Sequence, residues 1–142
     1  GAAYLGVAES SARIARECAI RRGDDGISSE LLGELENEVT IARLAFDSMV
    51  AITNNFEFQP SPQKSSEVLV RKTILTQAVI RSASKALEIT GGGGYFRSQG
   101  VERLLRDAYA GQFHPLPPKK QYRFTGRLVM GLEVDRDSET GA

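Results

Sequence analysis

Apolar residues in the first half of the chain recur every three to four positions, the spacing that places them on one face of an α-helix. The stripe of residues 3–22 consists mainly of small side chains, namely Leu5, Ala8, Ala12, Ala15 and Ala19. A second stretch, from Ser28 or Ser29 to Ile52, continues the pattern for about 40 Å of helix at 1.5 Å per residue. We therefore predict two long helices that pack closely, with one of the two serines as the N-cap of the second helix.

The same spacing predicts a third long helix from Ser65 or Ser66 to Ile89, after a connection that the prolines of residues 60–62 close. A fourth, shorter helix is predicted over residues 99–110. Its apolar side would carry Val101, Leu104, Leu105 and Ala108. Four consecutive glycines at 91–94 separate these two helices, because one glycine inside a helix already costs about 1 kcal/mol relative to alanine.

The C-terminal part of the chain is predicted to form a proline-rich turn and one more short helix. Three prolines at 115, 117 and 118 are expected to bar helix, and a last helix is expected within residues 121–132. Its predicted core side consists of Tyr122, Phe124, Leu128 and either Val129 or Met130. The fold prediction is therefore all-α: an up-and-down four-helix bundle with short extra C-terminal helices in residues 1–132, followed by a flexible tail in residues 133–142.

Charge and composition exclude several classes of partner. The 142 residues include 18 basic and 18 acidic side chains, so the chain has no electrostatic footprint for nucleic acid or an anionic membrane. No apolar run is long enough to span a bilayer. One cysteine, Cys18, and one histidine, His114, provide no ligand cluster, so we predict no metal. The unpaired thiol fits a reducing compartment, and we predict a cytoplasmic protein.

The glycine run by itself permits two interpretations. Glycines let backbone N–H groups approach a phosphate closely, especially beside the start of a helix. However, residues 91–94 do not belong to a Gly-x-Gly-x-x-Gly motif after a predicted strand, and no Gly-Lys-Ser/Thr follows them. On these residues alone, a tight helix-to-helix corner is the favoured interpretation.

The segments around the glycines carry a more specific pattern. Residues 88–95 read Glu-Ile-Thr-Gly-Gly-Gly-Gly-Tyr, and residues 101–108 read Val-Glu-Arg-Leu-Leu-Arg-Asp-Ala. Together they resemble the Gln-x-x-Gly-Gly-x-Gly-Tyr and Val-Glu-Arg-x-x-Arg-Asp-Ala signature of the C-terminal domain of acyl-CoA dehydrogenases. Further positions match the Leu-Gly…Tyr-x-x-x-Arg helix and the helical lysine of that family, namely Leu5, Gly6, Cys18, Arg22 and Lys72. The resemblance extends from about residue 1 to about residue 117.

This resemblance implies an FAD cofactor. Arg22 matches the arginine that contacts the FAD pyrophosphate of a neighbouring subunit in the family. Glu88, Gly91, Gly92 and Gly94 match the Gln-x-x-Gly-Gly stretch, which contacts the adenosine end of the same cofactor. The residue types suit this role, since guanidinium groups form bidentate bonds to phosphate and glycines leave their N–H groups accessible. The alternative for Arg22 is a solvated residue at a helix end.

Two positions depart from the family pattern near the implied cofactor site. The family's Arg-x-x-Phe-Gly has an aromatic residue where this chain has Asp25, and the glutamine of the glycine motif is Glu88. A carboxylate beside a pyrophosphate repels it unless the carboxylate is protonated or turned away. The cofactor prediction therefore requires that the structure accommodate both carboxylates.

The catalytic base of the family has no counterpart at its usual position. The glutamate of the family motif Tyr-Glu-Gly-Thr falls in register on Pro115, between His114 and Leu116, and proline cannot accept a proton. Some family members use a glutamate whose position would lie upstream of Gly1. We therefore assign no catalytic residue to this chain, and we interpret His114 as structural rather than as a base.

The resemblance implies the C-terminal FAD-binding and oligomerisation domain of a flavoenzyme that oxidises an acyl-CoA thioester at Cα–Cβ. The chain would then be part of a larger protein whose other domains hold the substrate and most of the flavin, so alone it would be inactive and hold little FAD. We expect a homodimer or homotetramer. Two alternatives remain: a flavin monooxygenase with the same fold, and a degenerate, non-catalytic subunit of a hetero-oligomer.

Overall fold

A computed structural model of the protein describes residues 1–134, and these residues form helices and no β-strand. The five α-helices are α1 (Ala2–Arg22), α2 (Ile27–Thr53), α3 (Pro62–Thr90), α4 (Val101–Ala110) and α5 (Pro118–Val129). Short 3₁₀ turns at Asn54–Phe56 and Gly91–Tyr95 follow α2 and α3. The all-α prediction is confirmed. Most of the predicted tail, residues 135–142, lies outside the described residues.

Helix α3 is the centre of the bundle, because each of the other four α-helices packs against it. Helices α1 and α2 also pack against each other, and α4 lies on α1 and α3. Helix α5 contacts only α3 among the α-helices. The four-helix bundle is therefore built from α1–α4, and α5 is an addition on one side of α3.

Alanines dominate the core between α1, α2 and α3. The predicted stripe on α1 is buried, with Ala8, Ala12 and Ala15 fully inaccessible to solvent. The remaining alanines of the two core clusters come mainly from α2 and α3, namely Ala42, Ala45, Ala78, Ala83 and Ala86. Small side chains at the contact let helix axes approach toward the short end of the usual range of about 8–10 Å. Larger side chains such as Leu35 and Leu75 fill the space between the layers.

The start of α2 differs from the sequence prediction. Neither serine is the N-cap, because the helix begins at Ile27, after Gly26. A carboxylate caps the first turn instead: Asp25 Oδ1 accepts from Ser28 N at 2.6 Å, while Asp24 Oδ1 accepts from Gly26 N at 2.9 Å in the turn just before the helix. A carboxylate at this end of a helix is favoured by the free N–H groups and by the positive pole of the helix.

Prolines begin two helices that were predicted to begin later. Helix α3 begins at Pro62 rather than at Ser65 or Ser66, and the Ser61 hydroxyl caps it by accepting from Lys64 N at 3.1 Å. Helix α5 begins at Pro118, although the prolines were expected to bar helix. The physical reason is the same in both cases. Proline has its φ angle already set for a helix, and its missing N–H is no loss in the first turn.

The predicted core side of α5 is only partly correct. Phe124 is fully buried, as expected, and Leu128 is half-buried, but Tyr122, Val129 and Met130 are exposed. Among the described α-helices, α5 packs against α3 and no other, so only a narrow stripe of it is covered. Part of that stripe is polar: Gln121 is buried, and its Nε2 donates to Thr125 Oγ1 at 2.8 Å.

Candidate functional site

The glycine run forms a sharp corner at the end of α3. Gly91 is the C-cap residue, with φ 60° and ψ −150°, and its N–H donates to the carbonyls of Leu87 and Glu88. An L-residue with a side chain rarely adopts this φ value, so the position requires glycine on conformational grounds. The chain then makes one 3₁₀ turn before it extends toward α4.

The glycines of the corner face two different environments. Gly94 is buried, and a Cβ atom there would lie 2.7 Å from Leu87 Cδ1 and closer still to Thr90 Oγ1. Gly92 and Gly93 are exposed, and a Cβ atom at either would have no neighbour within 4 Å. Packing within this chain therefore accounts for Gly94, whereas it does not account for Gly92 or Gly93.

Arg22 lies beside this corner although it is distant in sequence. Its Nη2 donates to the carbonyl oxygen of Ile89 at 2.9 Å, and its Nη1 lies 3.3 Å from the hydroxyl of Ser28. The guanidinium thus joins the last turn of α1, the first turn of α2 and the last turn of α3. Arg22 as a residue remains exposed to solvent. The structure therefore places Arg22 against the last turn of α3, which ends immediately before the glycines.

Glu88 is paired at the corner. Its Oε2 lies 2.9 Å from Lys85 Nζ, and the same ammonium lies 2.6 Å from Glu34 Oε2 on α2. The hydrogen bonds that Lys85 donates to Glu34 and Glu88 raise the pKa of Lys85, so the side chain stays charged throughout the physiological range. A shallow depression beside this pair is lined by Ser84, Leu87, Glu88, Gly91, Tyr95 and Leu105.

Asp25, the other departure from the family pattern, is engaged in capping α2. The hydrogen bond from the Ser28 backbone N–H is the main cause that lowers the pKa of the Asp25 carboxyl. The carboxylate therefore remains ionised at neutral pH. Because this carboxylate is hydrogen-bonded to the first turn of α2, an acidic residue is accommodated beside Arg22.

The segment around Pro115 is anchored to the bundle by a buried lysine. Lys72 is only 7% exposed, and its Nζ donates to the carbonyl oxygen of Leu116 at 3.0 Å. Burial lowers the pKa of Lys72. Leu116 is buried, whereas His114 and Pro115 are exposed next to it. Among residues 1–134, no group of three or more potential metal-ligating side chains is found.

Two features of the site could not be identified from the sequence. The spacing of Lys85 and Glu88 is compatible with an i,i+3 pair, but the contact with Glu34 joins different helices. The contact of Lys72 with the Leu116 carbonyl joins residues that are far apart in the chain. Because the acceptor is a backbone oxygen, the type of residue at position 116 does not reveal it. Both depend on the packing of α3 against its neighbours.

Comparison with known protein families matches residues 1–114 to the acyl-CoA dehydrogenase C-terminal domain. The chain belongs to the acyl-CoA dehydrogenase family. The matched range includes α1–α4, the glycine corner and Arg22. A curated relative, cyclohex-1-ene-1-carbonyl-CoA dehydrogenase of Geobacter metallireducens, is 32% identical over 59 residues, which is 42% of this chain and 16% of that protein.

Solved structures share the fold of this acyl-CoA dehydrogenase domain at low sequence identity. KijD3 in complex with FMN and dTDP-3-amino-2,3,6-trideoxy-4-keto-3-methyl-D-glucose matches 94% of this chain and 35% of its own, with a TM-score of 0.85 and 22% identity. KijD3 in complex with dTDP matches 91% of this chain and 36% of its own, with a TM-score of 0.82 and 22% identity. The chain thus spans about a third of those structures and less of the curated relative.

None of the helices within residues 1–134 combines the length and the apolar composition that a transmembrane helix needs.

The two environments of the glycine corner lead to a test of packing. We expect Gly94→Ala to lower the free energy of unfolding by about 1–3 kcal/mol, because its methyl group would overlap the side chains of Leu87 and Thr90. Gly92→Ala is the matched control and is expected to change that free energy by less than about 1 kcal/mol. Urea unfolding followed by circular dichroism measures both. Equal effects of the two substitutions would contradict the packing role of Gly94.

Proposed function

We propose that this chain is the C-terminal flavin-binding and oligomerisation domain of an acyl-CoA dehydrogenase-type flavoenzyme whose cofactor is FAD. The observation that carries the proposal is the hydrogen bond between Arg22 and the end of α3, in which Nη2 donates to the Ile89 carbonyl oxygen at 2.9 Å. The family membership and the helical fold support it. The acyl-CoA thioester would be bound mainly by parts of the protein beyond this chain.

Arg22 has the chemistry that a pyrophosphate contact needs. A guanidinium carries five N–H donors in a planar fork, so the bonds to Ile89 and Ser28 leave donors for a further acceptor. Those two bonds also fix the side chain, which reduces the entropy lost when it meets an anion. The exposed backbone of Gly92 and Gly93 lies on the same corner and is open to a ligand. We assign the cofactor contacts to Arg22, Glu88, Gly91 and Gly92, whereas the buried Gly94, also predicted from the sequence, shapes the corner on which they lie.

Proton abstraction would depend on a residue outside this chain. Pro115 occupies the position of the usual glutamate and has no group that accepts a proton. The Lys72 contact holds the neighbouring Leu116 carbonyl against α3. We therefore propose that this chain contributes cofactor binding and assembly to the dehydrogenation, and that it contributes no base.

The contact of Arg22 with the cofactor is tested by substitution in the full-length protein. We expect Arg22→Ala to weaken FAD binding about 5- to 150-fold, corresponding to the loss of about 1–3 kcal/mol from charge-assisted hydrogen bonds. The measurement is FAD affinity by calorimetry, with flavin content after purification as a second readout.

Arg21→Ala is the matched control for this prediction, because Arg21 is an exposed arginine in the same last turn of α1. It should leave FAD affinity within about twofold of the wild type, since a surface charge that contacts no ligand contributes little. Thermal unfolding of both variants shows whether Arg22→Ala also destabilises the fold by removing the bond to Ile89. That effect is then distinguished from weaker cofactor binding. Unchanged FAD affinity in Arg22→Ala would contradict the proposed cofactor site and favour a non-catalytic subunit.

A flavin monooxygenase with the same fold is the second candidate function. Pro115 favours it, because this chain lacks the glutamate that a dehydrogenase uses at that position. The fold is also found in KijD3, which was solved with FMN.

The two candidate activities differ in their response to oxygen. If the protein is a dehydrogenase, acyl-CoA thioesters of a test panel should bleach the bound flavin without oxygen. If it is a monooxygenase, no thioester should bleach it, and oxygen should be consumed only when reduced flavin is supplied. Absorbance at the flavin band and an oxygen electrode make the two measurements. Anaerobic bleaching by any thioester would eliminate the monooxygenase.

Assembly is the other part of the proposed function. Helices α2 and α3 carry large apolar side chains that remain exposed, namely Ile41, Leu44, Val50 and Ile74. Leu44 is 63% exposed. Apolar surface of this kind is commonly covered by a partner in oligomeric proteins. We propose that these helices contact a second copy of the chain in a homodimer or homotetramer.

Leu44→Glu is expected to lower the mass of the assembly without lowering the unfolding temperature, because the residue is exposed in the single chain but would be buried in the interface. Val129→Glu is the control, since Val129 is 83% exposed on α5. Light scattering over a wide concentration range measures the mass. A wild-type monomer at every concentration, or equal effects of both variants, would contradict this interface.

A further inference from the structure

We propose that the outer face of α5 binds an anionic lipid surface. We define this face by the exposed residues of the helix, namely Lys119, Tyr122, Arg123, Gly126 and Val129. The family match ends at residue 114, so α5 lies outside the matched range. The inference therefore concerns a different part of the chain from the glycine corner, and it does not depend on the proposed cofactor site.

The exposed residues of α5 form one stripe along the helix. They recur every three to four positions, the spacing that places them on the same side of a helix. The opposite side carries Gln121 and Phe124, which are buried in the contact with α3. No other α-helix of residues 1–134 packs on α5. The outer face is therefore available to a partner outside the bundle.

The charge of α5 differs from that of the whole chain. Helix Pro118–Val129 contains four basic residues and no acidic one, the basic residues being Lys119, Lys120, Arg123 and Arg127. The net charge of zero for the complete chain argued against an anionic membrane, but it hides this local excess of positive charge. A basic amphipathic helix is typical of proteins that bind at a membrane surface, because anionic headgroups attract lysine and arginine.

Apolar side chains lie beside these charges. Val129 is 83% exposed at the end of α5, and Met130, the next residue, is 73% exposed. Tyr122 is also exposed, and its hydroxyl accepts a hydrogen bond from Gln77 Nε2 at 2.6 Å, which holds the side chain in place. Tyrosine is enriched where membranes meet water, and exposed aliphatic side chains bind by burying apolar area at the acyl boundary.

The charges also decide between the possible occupants of the outer face. In a contact between two copies of α5, Lys119 and Arg123 would approach the same basic groups of the partner, and like charges oppose association. A strongly acidic protein surface would pair with the cations but would offer little apolar area to Val129 and Met130. An anionic bilayer offers both, because its negative headgroups lie directly above the acyl chains.

The test is sedimentation of the full-length protein with lipid vesicles. One set contains equal amounts of phosphatidylcholine and phosphatidylglycerol, and the reference set contains phosphatidylcholine alone. We expect binding to the anionic vesicles to be at least about tenfold tighter, since each basic residue near such a surface contributes about fivefold. At about 1 M salt, where the Debye length is about 3 Å, this preference should be lost.

Variants of the outer face separate its charged and apolar parts. Lys119→Gln should weaken binding to the anionic vesicles about fivefold, and Val129→Ser about three- to tenfold. Arg103→Gln is the matched control for charge, because Arg103 is exposed on α4. Ile20→Ser is the matched apolar control, because Ile20 is 78% exposed on α1. Both controls should stay within about twofold of the wild type, since they lie outside the proposed contact.

Several outcomes would overturn the inference. Equal binding to the two kinds of vesicle would contradict it, as would control variants that weaken binding as much as the α5 variants do. Binding to neither kind would also overturn it and would favour an acidic protein as the partner. If light scattering shows a lower assembly mass for Lys119→Gln or Val129→Ser, the face is a contact between copies of the chain and the inference is wrong. Because all four substituted residues are exposed, the unfolding temperature should not change.

Discussion

The burial of α3 between the other helices is the constraint on which the rest of the structure depends. Buried residues occur along the whole length of this helix, from Ser66 near its start to Ile89 in its last turn. Close approach of α1 is possible because the facing side chains are alanines. The positions of the glycine corner, of the Lys72 tether and of the Lys85 ion pairs all follow from α3, since each is made by a residue in or directly after it.

The sequence predicted the helices but not the contacts that form the site. Periodicity was sufficient to predict α1–α4, and it was misleading for the core side of α5, which packs against α3 and against no other described α-helix. The predicted starts of three helices were wrong. Helices α3 and α5 begin at prolines, and α2 is capped by a carboxylate rather than by a serine. The contacts of Arg22 with the Ile89 carbonyl and of Lys85 with Glu34 join separate helices. Such pairs depend on helix packing, which the linear pattern does not contain.

The two acidic departures from the family pattern have different structural explanations. Asp25 caps α2 through the Ser28 N–H, so its carboxylate serves the fold. Glu88 is held by Lys85, so its carboxylate stays at the corner in a fixed place. An acidic substitution near a phosphate site is therefore informative only after its partners are known. In this chain both carboxylates are accompanied by the groups that make them tolerable.

The guanidinium of Arg22 is shared by three helix ends, since it bonds to Ile89 and Ser28 from the last turn of α1. A ligand that draws on this group therefore acts on α1, α2 and α3 together. Binding at the corner and closure of this end of the bundle become one coupled equilibrium, in which each favours the other. Loss of the Arg22 bonds is therefore expected to open the bundle first at the end where the glycines lie.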